Sequence, residues 1–331
     1  MNITLQTIQR LCRALALLPL LIASARGQAP QQGAKSAGVS LFEARRFDDA
    51  KREFSARIQR NPNDREAMYY LGRVAAAQNA TDESVKWFEK AVEADPQNAD
   101  YHFWLGNAYG DAAQHASKFR QPFLARKVKA EFERAVQLDP KQLDGRLGLI
   151  EFYVQAPGFM GGSIPKAKEQ ATEILKLNRM RGGFAIASIA EREKDLAEAE
   201  RGYRLAYDAA PDSLAAFASL TNFFMRQNRA EESFPLAERY EKAHPDEQWG
   251  QFVYGRAAAA SGKNMERGER YLRAFIASPP KEASQQQLSG AHYRLGMLLE
   301  KTARRDAARL EYQEAIRINP KNEDARKALE K

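Results

Sequence analysis

At 331 residues, with 44% hydrophobic and 28% charged side chains, the chain has the length for two ordinary domains or one extended array, and a composition that excludes a long disordered tail. Its formal charge of +8 is spread along the sequence without any nucleic-acid readout motif, which excludes nucleic acid as the expected partner. The only cysteine is Cys12, so beyond the N-terminal segment neither disulfides nor thiolate metal sites can form.

Residues 1–25 have the layout of a signal peptide. Arg10 and Arg13 precede the apolar run 14–22, and the small residues Ala23, Ser24 and Ala25 follow it. The run is well short of the ~20 residues that a membrane-spanning helix needs. The expectation is therefore export to the periplasm or the outside of the cell, with cleavage near Arg26 and no membrane span afterwards; an uncleaved anchor is the rival reading. Cleavage removes two cations and takes the charge from +8 to +6. Residues 26–36 are expected as a flexible lead-in to a helical region over 37–331.

From there the sequence repeats. Pro62 and Pro96 are 34 residues apart, as are Pro211 and Pro245, and Pro245 and Pro279. Each closes an amphipathic run with a similar phrase, among them IQRNP, VEADP, VQLDP and IRINP, and each reads as a stop between helices because proline cannot continue one. Gly38 to Pro62, Gly72 to Pro96, Gly255 to Pro279 and Gly296 to Pro320 all span 24. Between them falls a small residue four places before an aromatic: Ala50 and Phe54, Ser84 and Phe88, Ala199 and Tyr203, Ala308 and Tyr312.

This pattern resembles the tetratricopeptide repeat, W-x2-L-G-x2-Y, A-x3-F, P on a 34-residue period. The best front halves are MYYLG at 68–72, HFWLGNAY at 102–109 and HYRLG at 292–296, with Met68, His102 or His292 in place of the leading Trp. Eight units are expected at about 31–64, 65–98, 99–142, 143–179, 180–213, 214–247, 248–281 and 289–322, with a capping helix at 323–331. Arg179 stands where a stop proline is expected, which weakens units four and five. The resemblance implies an all-α, right-handed superhelical solenoid with a concave face, each repeat burying its apolar side on its neighbours. Small residues at the eighth and twentieth positions let the helices of one repeat approach, and the aromatic at the twenty-fourth fills the gap to the next.

Sites of chemistry are few. Asn79-Ala-Thr81 matches a glycosylation sequon, but Thr81 is expected to cap the following helix. APGFMGGS at 156–163 supplies glycines before Lys166 without the spacing of a phosphate loop or a preceding strand. Ser163-x-x-Lys166 matches the nucleophile motif of penicillin-recognising enzymes, yet the accompanying S-D-N and K-T-G tripeptides do not occur. Ser163 reads as a helix N-cap with Pro165 in the first turn. His102, His115, His244 and His292 are scattered without metal-ligand spacing, and the first and last are expected to pack. No enzyme activity, metal or cofactor is expected.

In this family the second, fifth, ninth, twelfth and thirteenth positions of the first helix line the concave face. The resemblance carries that role to Tyr69, Arg73, Phe103, Asn107, Glu151, Phe184, Asn222, Arg226, Phe252, Arg256 and Tyr293, a surface on which Asn would hold a peptide backbone and a cation a carboxylate; a solvated helix face is the alternative. A full carboxylate clamp is not present. A second surface comes from insertions. Gly106 and Pro140 are 34 apart where other units have 24, which lengthens the turn carrying His115, Lys118, Phe119, Arg120 and Phe123. Leu149 and Ala167 are 18 apart against 13 in a regular unit, which places further extra residues at 157–163. The two turns should be neighbours on one edge, with Phe159 and Met160 either packed beneath the longer one or open to a partner. The expected function is a protein-interaction scaffold for a peptide or protein; a subunit of an envelope or secretion assembly, or an accessory to an envelope polysaccharide or hydrolytic enzyme, is the alternative.

Overall fold

A computed structural model describes residues 36–330, so the expected signal peptide lies outside the described residues. They fold into 17 α-helices and contain no strand. The helices are α1 Ala37–Glu43, α2 Phe47–Arg60, α3 Arg65–Ala77, α4 Thr81–Ala94, α5 Ala99–His115, α6 Gln121–Leu138, α7 Leu143–Gln155 and α8 Ile164–Leu177. They continue as α9 Arg179–Glu193, α10 Leu196–Ala209, α11 Leu214–Arg226, α12 Ser233–Ala243, α13 Trp249–Ser261, α14 Met265–Ala277, α15 Gln285–Lys301, α16 Arg305–Ile318 and α17 Glu323–Leu329. Two compact units divide at Leu177/Asn178, the first holding α1 to α8 and the second α9 to α17. Within each unit consecutive helices pair as antiparallel hairpins stacked one on the next.

Two kinds of turn alternate, and the sequence dictates both. Between repeats, the residue two places after the stop proline caps the next helix: the side chains of Asp64, Asn98, Ser213 and Asn322 each accept from a backbone N–H in the first turn. Each such cap contributes on the order of 1 kcal/mol. Within repeats, the chain turns through one residue in the left-handed region: Arg45, Asn79, Lys194, Asn228 or Ala303. The next backbone N–H then donates back into the last turn of the first helix, as from Arg46 to Leu41, Ala80 to Ala75 and Arg304 to Leu299. Thr81 is accordingly the first residue of α4, not its cap; Ala80 holds that place and no side chain caps the helix. The two insertions replace this closure, since Ala116 and Ala156 leave their helices in extended conformation.

The core follows from side-chain size at fixed register. A Cβ on Gly38, Gly72 or Gly106 would sit 2.7–2.8 Å from the ring of Phe54, Phe88 or Phe132, so each aromatic lies flat on the glycine of its own repeat. The same ring also meets the next repeat: Phe54 stacks on Tyr70 at 5.0 Å and Phe88 on Trp104 at 6.0 Å. The second unit repeats this packing at Gly296, where a Cβ would lie 2.4 Å from the Tyr312 ring, and adds one hairpin that closes backbone on backbone. A Cβ on Gly183 would lie 2.6 Å from the Ala206 nitrogen, and one on Gly202 2.6 Å from the Ala187 nitrogen.

Among the buried polar side chains, His102, Arg146 and His292 have structural partners, while the Ser84 and Ser233 hydroxyls have none among the described residues. His102 bridges the Pro96 carbonyl, at 3.1 Å, and the Glu131 carboxylate, at 2.6 Å. Arg146 donates from Nε and Nη2 to the Pro140 carbonyl, at 3.0 and 2.8 Å, and from Nη1 to Gln170. Both residues stand six places after a stop proline and tie down its carbonyl, which helix geometry leaves without an intrahelical donor. His292 meets Glu311 at 2.7 Å in the same register as His102 and Glu131 once the insertion is discounted. Among the described residues no three His, Cys, Asp or Glu side chains gather as a metal site.

Candidate partner-binding site

In the first unit, α3 presents Tyr69 and Arg73 on one face, one helical turn apart. The Tyr69 ring stacks on Tyr101 at 5.3 Å, and burial pushes its phenol up to about 12. The Arg73 guanidinium lies 4.6 Å from the Phe42 ring and 4.8 Å from the Trp104 ring, with Tyr69 and Tyr70 at 5.5 and 5.6 Å. Its Nε is buried without an acceptor. This cation therefore joins α1, α3 and α5 through ring faces, a contact worth about 1–2 kcal/mol when desolvated. Phe103 is half-buried against Trp104 and Phe132, and Asn107 donates to the Phe103 carbonyl of its own helix at 3.0 Å. Glu151, on α7, is half-buried, and burial alone raises its carboxyl above the usual range.

The second unit brings different chemistry together. Arg256 on α13 donates from Nη1 to Asn222 Oδ1 on α11 at 2.9 Å, a contact between equivalent positions of adjacent repeats. Its guanidinium stands 5.5 Å from the Phe252 ring. Burial, and secondly the positive charge of Arg294, lower the Arg256 pKa to about 10. Arg294 on α15 is itself lowered by burial and lies over the Tyr293 ring at 4.6 Å. Neither arginine has a carboxylate within ion-pair distance among the described residues. Two half-buried cations thus repel each other, with the Asn222 amide and the Phe252 and Tyr293 rings as contacts and Asp324 acting on Arg294 only from beyond ion-pair distance.

Other candidates are engaged or hidden. Arg226 is exposed and paired with Glu191. Phe184 is half-buried on α9, and Tyr293 tilts against Tyr312 at 5.8 Å. Phe252 does not line a surface: it is 6% exposed, stacked on Phe275 at 4.4 Å and edge-on to Trp249. A bulky aromatic in this register is drawn into the seam between α13 and α14, so the assignment of Phe252 to the groove is corrected. Arg294 was not among the candidates because its register position holds packed aromatics in other repeats, Tyr70 and Trp104; a charge in an aromatic slot was the available signal.

On the insertions, Phe119 is 96% exposed, Phe123 61% and Phe159 83%, while Met160 is half-buried. Phe159 thus does not pack beneath the longer turn, and Arg120 is exposed beside Phe119. The shorter insertion is a 3-10 turn, Gly158–Met160, closed by Gly161 at φ +100° and by Gly162, whose added Cβ would fall 1.7 Å from the Ala156 carbonyl oxygen. Those two glycines are therefore required by the turn. It rests against α6, with Gly161 beside the Lys129 methylenes. Ser163 Oγ accepts from Lys166 N–H at 3.4 Å, the arrangement of a helix N-cap.

Three tetratricopeptide repeat models match the chain, over residues 36–99, 87–121 and 289–322. The chain is a tetratricopeptide repeat protein, all-α and built of helix-hairpin repeats. The repeat identifies a protein-interaction scaffold, on a fold that typically serves without catalysis. Among curated proteins, Cellulose synthase operon protein C of Komagataeibacter sucrofermentans is 34% identical over 67 residues, 20% of this chain. The match covers about 5% of that relative's length. Among solved structures, a thermophilic repeat protein of Thermus thermophilus is similar with TM-score 0.47 and 22% identity, over 57% of this chain and 95% of that one. A tetratricopeptide repeat protein of Parabacteroides merdae is similar over 98% of both chains, with TM-score 0.49 and 10% identity.

Proposed function

We propose that the chain is an exported, non-enzymatic scaffold that holds an acidic segment of a protein partner on the inner helices of its second unit. The observation that carries this reading is the pair Arg256 and Arg294, half-buried, mutually repelling and without a carboxylate. Leaving such charges unpaired costs stability, and a partner carboxylate would supply the missing counter-charge through strong charge-assisted hydrogen bonds. Asn222 holds Arg256 in place and keeps its amide N–H groups for a peptide carbonyl. Tyr293 and Phe184 offer half-buried rings on the same unit.

Export rests on the arrangement of residues 1–25, and intact-mass measurement of the exported chain should give a mature start near Arg26. Recovery of the full-length chain in membranes contradicts it. For partner binding, crosslinking in the envelope fraction followed by capture should recover a partner with the native chain and lose it with Arg256→Gln combined with Arg294→Gln. Unchanged capture by the folded double variant counts against the site. A second reading, an accessory to an envelope polysaccharide system, is favoured by the 67-residue likeness to Cellulose synthase operon protein C.

A further inference from the structure

The edge carrying the two insertions is cationic. Residues 112–130 contain five Lys or Arg and no Asp or Glu, and residues 152–168 contain two Lys and again no acid. Lys118, Arg120, Arg126 and Lys166 are exposed, and none has a carboxylate partner among the described residues. Three phenylalanines stand among them at 96%, 61% and 83% exposure. Phe119 lies in the turn between α5 and α6, Phe123 in the first turn of α6, and Phe159 in the 3-10 turn that rests against α6. Lys129, which touches that 3-10 turn, is six residues beyond Phe123, about 9 Å along the helix.

We propose that this edge docks on an anionic lipid surface, with Phe119, Phe123 and Phe159 entering the interfacial layer and Lys118, Arg120, Arg126 and Lys166 meeting the headgroups. Exposed aromatic rings ringed by cations match the two attractions that hold peripheral proteins on membranes, burial of apolar area and charge. An acidic protein would satisfy the charge as well, but a protein interface requires a contiguous, shape-complementary patch around its anchors. Here Phe119 projects from a turn whose neighbours are Ser117, Lys118, Arg120 and Gln121. A fluid interface accepts separate projecting rings without a matching surface. Docking uses the first unit and does not depend on the arginines of the second.

The test is binding of the full chain to phosphatidylcholine vesicles with and without phosphatidylglycerol. Because residues 14–22 are apolar, the readout must report on the edge itself, and the difference spectrum of Phe119→Trp against the native chain does so. Its emission should shift blue on anionic vesicles, stay unshifted on neutral ones, and be quenched by lipids brominated on their acyl chains. Phe119→Ser with Phe123→Ser and Phe159→Ser should weaken anionic-vesicle binding at least tenfold with unchanged circular dichroism. Lys118→Gln with Arg120→Gln and Arg126→Gln should weaken it and flatten its salt dependence. An unshifted Phe119→Trp signal, or vesicle binding indifferent to the serine substitutions, overturns the proposal. So does a shift produced by soluble oligoglutamate and not by vesicles, which would assign the edge to an acidic protein.

Discussion

Both units run on one 34-residue register and pack glycine under aromatic ring, but the hairpin of α9 and α10 in the second unit closes backbone on backbone through Gly183 and Gly202. The fourth position of the first helix meets the twenty-third of the repeat, insertions discounted, in the third, fourth, fifth and eighth repeats. In the third repeat that pair is His102 and Glu131, in the fourth Arg146 and Gln170, and in the fifth Gly183 and Gly202. Ring packing in the first unit gives Arg73 four aromatic faces, so its charge is accommodated within the fold. The second unit buries Arg256 and Arg294 with far less compensation. The register sets the backbone, while the side chains occupying it decide whether a buried cation is structural or available.

The contrast can be broken most sharply at Gly183. Valine there meets backbone atoms that cannot step aside, and urea denaturation should show a loss of about 3 kcal/mol or more. Gly158→Ala, where nothing lies within 4 Å, should stay within about 0.5 kcal/mol of the native chain. A mild Gly183→Val would end the claim of backbone-limited packing.

Arginine replacements should then move stability in opposite directions. Arg73→Ala should cost about 1–2 kcal/mol by emptying its ring cage, whereas Arg256→Met should stabilise the chain by about 1–3 kcal/mol at neutral pH. The sign for Arg256 follows from its lowered pKa. The charged form is disfavoured in the fold, so the penalty is complete below pH 10 and fades as pH rises from there toward the unfolded value of 12.5. The advantage of Arg256→Met should therefore shrink across that alkaline window.

Smaller effects test the turns and the acid of the first unit. Ala303 adopts φ +61°, so Ala303→Gly should raise stability by about 0.5–1 kcal/mol, measured as an upward shift of the unfolding midpoint. Glu151 has a raised carboxyl, so its burial costs stability as pH climbs through the carboxylate range. Glu151→Gln should consequently gain on the native chain with rising pH over that range and match it in acid.

Much of this was legible in the residues. The stop prolines, the caps two places after them and the glycine-on-aromatic spacing are local, and each forces a particular backbone or contact. The candidate faces were less legible because a register names positions and not their occupants' fates. Phe252 shares its register with Tyr69, yet it is buried against Phe275 while Tyr69 remains half-exposed. Arg294 was hidden by an aromatic slot, and the glycines of 156–163 turned out to serve chain geometry, leaving Phe159 in solvent. These outcomes depend on which neighbour from another repeat arrives at each position.

The most direct test of the scaffold's binding site is fluorescence anisotropy with labelled oligoglutamate and oligolysine, on the native chain and on Arg256→Gln with Arg294→Gln. Oligoglutamate should bind the native chain, weaken about tenfold or more in the double variant, corresponding to at least ~1.4 kcal/mol, and persist when Phe119, Phe123 and Phe159 are serine. Equal affinity of the native chain and the arginine double variant, with both folded, would contradict the account.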